Sequence, residues 1–215
     1  MEIKGKDLKL DPAEIEENKK KAEERFSLFK SYGYDRHKSQ AFLIKKVGPI
    51  KGPVLEIGTG KGYMAAQLAK KAPSLLTVDI SKEEQRLAVL NIAAESGLEQ
   101  VGFLVCDAAK LPYPDNSFEL VISVNAFHHF EAPFAVVAEM MRICKKKLVI
   151  ADFNRQGFEI VRKIHQAEGH QHEEHQGDFG IVGVYLKEQG FSVKKFDDYC
   201  QLVYVAEKIK TKGGE

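Results

Sequence analysis

Five short apolar runs, the third followed by the Pro-rich loop KLPYPDNS and the others by helix-patterned segments, constrain this chain more than any other feature. The runs are PVLEIG (53–58), LLTVDI (75–80), VGFLVCDA (101–108), FELVISVNAF (118–127) and KKLVIADF (146–153). Between them lie GYMAAQLAKKA (62–72), with Met64, Leu68 and Ala72 on one side, SKEEQRLAVLNIAAESG (81–97), and APFAVVAEMMRIC (132–144). Ser81 is placed to cap its helix, with Glu84 at the capping-box position. Apolar strands alternating with helices predict an α/β fold, a parallel sheet covered on both faces. Near the end, FSVKKFDDY (191–199) and QLVYVAEK (201–208) read as two strands with almost no connection. So short a link cannot hold a crossover, so this pair must be antiparallel.

Ahead of the first strand, residues 11–32 read as a helix. Asp11 serves as N-cap, Pro12 takes the first helical position, and Gly33 ends the run. A second helix is expected over His37–Val47. These segments define an N-terminal helical cap, residues 1–47, before a main domain, residues 48–215. The 215 residues carry a net charge of +1 with the signs well mixed. That balance predicts neither nucleic acid nor a membrane as partner. Cys106, Cys144 and Cys200 form no CxxC pair, and their number is odd, which suits a reduced, cytoplasmic compartment. The N-terminus lacks an apolar h-region, so no signal peptide is expected; no run approaches the length of a membrane span.

The turn VLEIGTGKGYMA carries the chemistry. A strand runs into Gly58, Thr59, Gly60 and Gly62 and a helix follows at once, so the backbone can come close to a ligand. The dinucleotide fingerprint is G-x-G-x-x-G. Here the spacing is G-x-G-x-G, and Tyr63 stands in the third glycine's place. Glu56 would repel a pyrophosphate but can hold an ammonium group. Asp79, 19 residues after Gly60, can accept from both ribose hydroxyls, a position shared with the nicotinamide pattern. Asp107 ends the third strand and can accept from an adenine amine. Three acids around a glycine turn suit a ligand with an amine, a ribose and an adenine but no phosphate.

At VLEIGTGKG, TVDISKEE, CDAAKLPYPDNSFELVIS and NAFHHF, in that order, the chain resembles the class I S-adenosylmethionine-dependent methyltransferases. It is most similar to their small-molecule group of the ubiquinone/menaquinone-biosynthesis type (methyltransferase type 11). The resemblance implies a Rossmann-like, doubly wound, seven-stranded sheet, mostly parallel with an antiparallel terminal strand. It implies S-adenosylmethionine as cofactor, with Glu56, Gly58 and Gly60 at the methionine part, within the loop that includes Thr59 and Gly62. Asp79 would take the ribose, Ile80 the adenine face, and Asp107 and Ala108 its edge. Ser123 and Asn125 would lie near the sulfonium, and the segment 154–185 would form an acceptor-side insertion or lid. Asn125, His128 and His129 are then the candidate catalytic residues toward a small-molecule acceptor. Phe26, Phe29, Tyr32 and Tyr34 of the cap could close over the donor.

The stretch IHQAEGHQHEEHQGDFG (164–180) holds four of the seven histidines. A helix over 158–176 would set His165, Glu168, His172 and His175 on one face, with His170 pointing away. Such a stripe, joined by His128 or His129, can bind a transition metal such as zinc. A metal-free acceptor pocket with histidine bases, a polar lid and an ordinary solvated helix remain alternatives. Three other functions also stand: a non-catalytic S-adenosylmethionine- or metal-binding regulator, methylation of a macromolecule, and a nicotinamide dehydrogenase. Balanced charge and the lack of an NPPY-type sequence after the fourth strand disfavour the second.

Overall fold

The computed structural model describes residues 2–167, 178–198 and 200–209. After a short strand β1 (Ile3–Lys4) come the cap helices α1 (Pro12–Ser31) and α2 (Arg36–Val47). Asp11 accepts from the Ala13 amide and Asp35 from the Lys38 amide, so each helix starts at a carboxylate that satisfies an orphan donor. The alternating part follows as β2 (Val54–Ile57), α3 (Tyr63–Ala69), β3 (Leu75–Asp79), α4 (Lys82–Glu95), β4 (Val101–Val105) and β5 (Phe118–Val124). It continues with α5 (Pro133–Ile143), β6 (Cys144–Phe153), α6 (Arg155–Ala167) and α7 (Val182–Glu188), then β7 (Phe191–Asp197) and β8 (Gln201–Lys208).

The strands form one sheet in the order β1-β4-β3-β2-β5-β6-β8-β7. β2 to β6 pair in parallel, and β8 runs antiparallel to both its neighbours, β6 and β7. The expected seven strands are present. The eighth is β1, whose two residues pair antiparallel with β4 and cover its edge. Two residues are too few to show a period-2 pattern, so the sequence gives no sign of it.

Alternation along the strands divides the core. Leu55 and Ile57 of β2 and Tyr204 and Ala206 of β8 join Phe127, Met140 and Leu186 on one face. Val54, Val203 and Val205 join Leu43, Met64, Leu68 and Ile92 on the other. Each fully buried large side chain contributes about 1.5–3 kcal/mol. A third cluster, Phe29, Tyr34, Phe153, Ile160 and Ile164, fastens the cap and α6 to the end of β6. α6 begins at Arg155, three residues before the expected helix, with Asn154 Oδ1 accepting from the Gly157 amide in its first turn.

The chain winds outward from β2 through β3 and β4, then returns to β5 on the other side of β2. The carboxyl ends of β2 and β5 are therefore the topological switch point, where open α/β sheets bind ligands.

Candidate active site

At that point the glycine turn is held by the Gly58 and Thr59 amides, which donate to the Val78 carbonyl at 2.9 and 3.1 Å. Gly58 and Gly62 have φ of 78° and 74°. A Cβ on Gly58 would lie 2.3 Å from Ala126 Cβ, and one on Gly62 would lie 2.7 Å from Ala88 Cα. The turn is thus pressed against the end of β5 and against α4, and no side chain fits at either place. Asp79 Oδ2 accepts from the Gly60 amide at 2.8 Å and Oδ1 from the Ser81 amide at 2.9 Å. Each oxygen keeps a second lone pair for a hydroxyl.

Glu56 is almost fully buried beside the turn. Thr77 Oγ1 donates to its Oε2 at 2.6 Å. That fixes the direction of the contact behind it: Thr59 Oγ1 donates to Thr77 Oγ1 at 2.6 Å, and Gln85 Nε2 donates to Thr59 Oγ1 at 3.2 Å. No cation pairs with Glu56 among the described residues. Burial pushes its carboxyl up to about 8, against the Thr77 hydrogen bond and with help from the Asp79 charge. Glu56, Gly58 and Gly60 line an open pocket of about 140 Å³.

The cap supplies the pocket's opposite wall. Arg36 sits within 4.7–5.1 Å of the Phe26, Phe29 and Tyr63 ring centres. Its Nε is buried with no hydrogen-bond partner among the described residues. Burial lowers its pKa from the usual value. Tyr34 Oη donates to Ser39 Oγ at 3.2 Å, and Ser39 Oγ donates to Gln201 Oε1 at 2.7 Å. Gln201 Nε2 then donates to Asn125 Oδ1 at 2.7 Å. This network ties the cap to β8 and to Asn125, which takes φ of 54° as the chain leaves β5. Tyr34, Arg36, Asn125 and Gln201 all line the pocket. Sequence reasoning missed Arg36 and Gln201, because a cation at a helix start and an amide opening a strand both read as surface.

Of the other expected residues, Ile80 is 76% exposed, as a face awaiting a planar group would be. Asp107 is exposed, and its Oδ1 accepts from the Ala109 amide at 2.8 Å. It does not line the pocket, and Ala108 beside it packs against the core. Ser123 is fully buried, does not line the pocket, and its Oγ has no partner among the described residues. The geometry therefore brings Glu56, Gly58, Thr59, Gly60 and Asn125 together and leaves Ser123 behind them. Phe26 and Phe29 cage Arg36, Tyr34 is buried, and Tyr32 is 39% exposed away from the pocket.

His128 and His129 leave β5 in a 3-10 turn, Phe127–His129. His128 is buried, and its Nδ1 lies 2.8 Å from Oδ1 of Asp152, the fully buried acid near the end of β6. Asp152 also accepts from the His128 and Phe153 amides. The His129 ring lies 4.0 Å from that of His128. Asp152 was legible as an acid closing an apolar strand, as Glu56, Asp79 and Asp107 are, but was not singled out. Glu168, His172 and His175, and the side chain of His165, lie outside the described residues. Among the described residues no group of three or more His, Cys, Asp or Glu is placed to hold a metal. No described helix is long and apolar enough to cross a membrane.

Residues 55–150 match the family model described as a methyltransferase domain. Over that stretch the chain is similar to the class I S-adenosylmethionine-dependent methyltransferases. The match spans the glycine turn, Asp79, Asp107 and His128, and stops just short of Asp152. A demethylmenaquinone methyltransferase from Thermotoga maritima is 34% identical over 119 residues, 54% of this chain and 49% of that protein. An uncharacterised methyltransferase, YcgJ, from Bacillus subtilis is 36% identical over 93 residues, 43% of this chain and 36% of that protein. The chain thus spans about half or less of the length of these curated relatives. Among solved structures, YcgJ superposes with a TM-score of 0.64 at 18% identity, covering 82% of this chain and all of that one. An S-adenosylmethionine-dependent methyltransferase from Aquifex aeolicus gives 0.64 at 20% identity, covering 94% and 100%. At such identities the methyltransferase structures establish the fold.

Proposed function

We propose that this protein transfers the methyl group of S-adenosylmethionine to a small-molecule acceptor. The observation that carries the reading is the polarity of the pocket at the glycine turn. A buried carboxyl, Glu56, with no cation beside it among the described residues stands on one wall, and the Arg36 guanidinium, whose Nε has no hydrogen-bond partner among them, on the other. A zwitterionic amino-acid group satisfies both, its ammonium on Glu56 and its carboxylate on Arg36. A pyrophosphate would satisfy Arg36 and be repelled by Glu56. Asp79 adds acceptors for a ribose, and exposed Ile80 an apolar face for a base.

Bound there, S-adenosylmethionine supplies a methyl group on a sulfonium, which leaves as its cationic sulfur is neutralised. The chain need supply no acid. Its work is orientation and exclusion of water, worth roughly 7–11 kcal/mol when two reactants are well aligned. The cap, clipped by Tyr34 and Ser39 to Gln201 and Asn125, closes the pocket above the strand ends. A metal-assisted version rests on His165, Glu168, His172 and His175 and draws no support from the described residues.

Arg36→Met keeps the apolar stem among the aromatic rings and removes the charge. Hydrogen bonds to charged groups contribute about 1.5–3 kcal/mol, so S-adenosylhomocysteine should bind roughly 10- to 150-fold more weakly by calorimetric titration. NADH, titrated in parallel into the unmodified protein, should give no saturable heat. Unchanged affinity in the variant, or tight NADH binding, would overturn the reading.

A further inference from the structure

A second cavity, of about 580 Å³, opens between the end of β6, the 3-10 turn after β5, and α6. The mechanism above does not use it. It lies beside the donor pocket: Val124 and Asn125 line one and His128 the other, and Tyr34 packs edge-on against Phe153 between them at 5.5 Å. Two features distinguish its lining. The first is aromatic: Phe127, Phe153, Phe158 and Phe179 all face it. Phe127 and Phe179 stand 5.0 Å apart, and Phe153 and Phe158 5.7 Å apart. The second is the pairing of His128 with Asp152.

The carboxylate of Asp152 accepts two backbone amides as well as His128 Nδ1. Nδ1 must therefore carry a hydrogen, and the neutral ring's lone pair is on Nε2. Nε2 makes no hydrogen bond to any described residue. Phe158 and Phe153 lie 5.2 and 5.9 Å from the imidazole and hold its plane. An oriented imidazole with one bare nitrogen at an aromatic-walled cavity is arranged as a general base for a flat, apolar molecule.

We propose that this cavity receives the methyl acceptor, that the acceptor is an aromatic hydroxyl compound, and that His128 takes its proton. The inference rests on the methyl-transfer reading. As the O–H bond breaks, its proton passes to His128 Nε2. The oxygen lone pair forms the new O–CH₃ bond, and the S–CH₃ electron pair stays on sulfur, leaving a thioether. The imidazolium then returns its proton to solvent. Asp152 is a positioning residue: it sets the tautomer and stabilises the cation that forms. The other charged groups at the cavity are Arg155, Glu159 and Arg162 of α6 and Asp178.

The test uses 4-nitrocatechol, whose neutral and ionised forms absorb differently, added to the protein saturated with S-adenosylhomocysteine. Saturable binding should be accompanied by conversion to the phenolate spectrum below the pH at which the free probe ionises. The bound probe should be roughly tenfold more ionised than free probe at the same pH, one unit of pKa. His128→Gln and His128→Ala should still bind S-adenosylhomocysteine and lose the shift. Asp152→Asn should move its pH profile toward that of the free probe, and Phe158→Ala should weaken probe binding roughly two- to tenfold. Absence of saturable probe binding while S-adenosylhomocysteine binds normally would overturn this proposal alone. So would a shift that survives loss of His128. Failure of S-adenosylhomocysteine to bind the unmodified protein would overturn the methyl-transfer reading and this proposal with it.

Discussion

Glu56→Gln should weaken S-adenosylhomocysteine binding roughly 10- to 150-fold, the cost of one hydrogen bond to a charged group at about 1.5–3 kcal/mol. The amide can still accept from Thr77 Oγ1 at the back of the pocket. What disappears is the charge facing the ligand's ammonium. The unmodified protein should also show a pH signature. Its Glu56 carboxyl is pushed up to about 8 in the empty pocket, while the ligand's ammonium favours the ionised form. Binding below that pH must release a proton, so affinity should rise by up to about tenfold per unit toward pH 8 and then level off. Titrations in buffers of different ionisation enthalpy read the released proton directly, and Glu56→Gln should release none through this group.

Stability carries the opposite sign. The folded-state pKa of Glu56 lies above its unfolded value of about 4.3, so the folded protein holds the proton longer. The stability of the unliganded protein should fall as pH rises from roughly 4.3 to about 8 and be flat with respect to this group above that. Glu56→Gln lacks this loss. Its melting temperature should therefore gain on that of the unmodified protein across the same window. A residue that lowers stability while raising affinity is one kept for a ligand.

Gly62→Ala should lower the melting temperature by roughly 5–15 °C. A side chain in the left-handed region costs about 1–2 kcal/mol, and overpacking a filled site adds about 1–3 kcal/mol. For a domain of this size each kcal/mol shifts the midpoint by roughly 2–4 °C. The added methyl would lie 2.7 Å from Ala88 Cα and Cβ, so α3 and α4 must part. Gly97 is the control: its φ is 75°, but nothing lies within 4 Å of a Cβ there. Gly97→Ala should cost only the conformational share. Equal losses from both, in thermal melts followed by circular dichroism, would mean that the close approach of α4 to the turn is not what requires Gly62.

Much of this architecture was legible because its causes are local. Val, Ile and Leu runs made the strands, Ser81 and Asp11 capped their helices, and the short link after Asp197 forced the antiparallel β8. Glu56, Asp79 and the glycines were legible because their spacing sits on a strand-to-helix turn. Arg36 was not, because three aromatic rings from two separate helices give it its place, and no local pattern announces such a cage. Asp107 reads two ways: an acid ending a strand can serve a ligand or its own turn, and here its Oδ1 accepts from the Ala109 amide. Asp152 was under-read for the same ambiguity. Only the return of β5 beside β6 sets it against His128, 24 residues away in sequence.

The most direct measurement is a label-transfer experiment: the purified protein is incubated with methyl-labelled S-adenosylmethionine and a metabolite extract freed of macromolecules. Label should move into a small-molecule product with the unmodified protein, and far more slowly with Glu56→Gln at a donor concentration that does not saturate the variant. Retention of all label on the donor, while S-adenosylhomocysteine still binds tightly, would contradict the account and make the protein a non-catalytic binder.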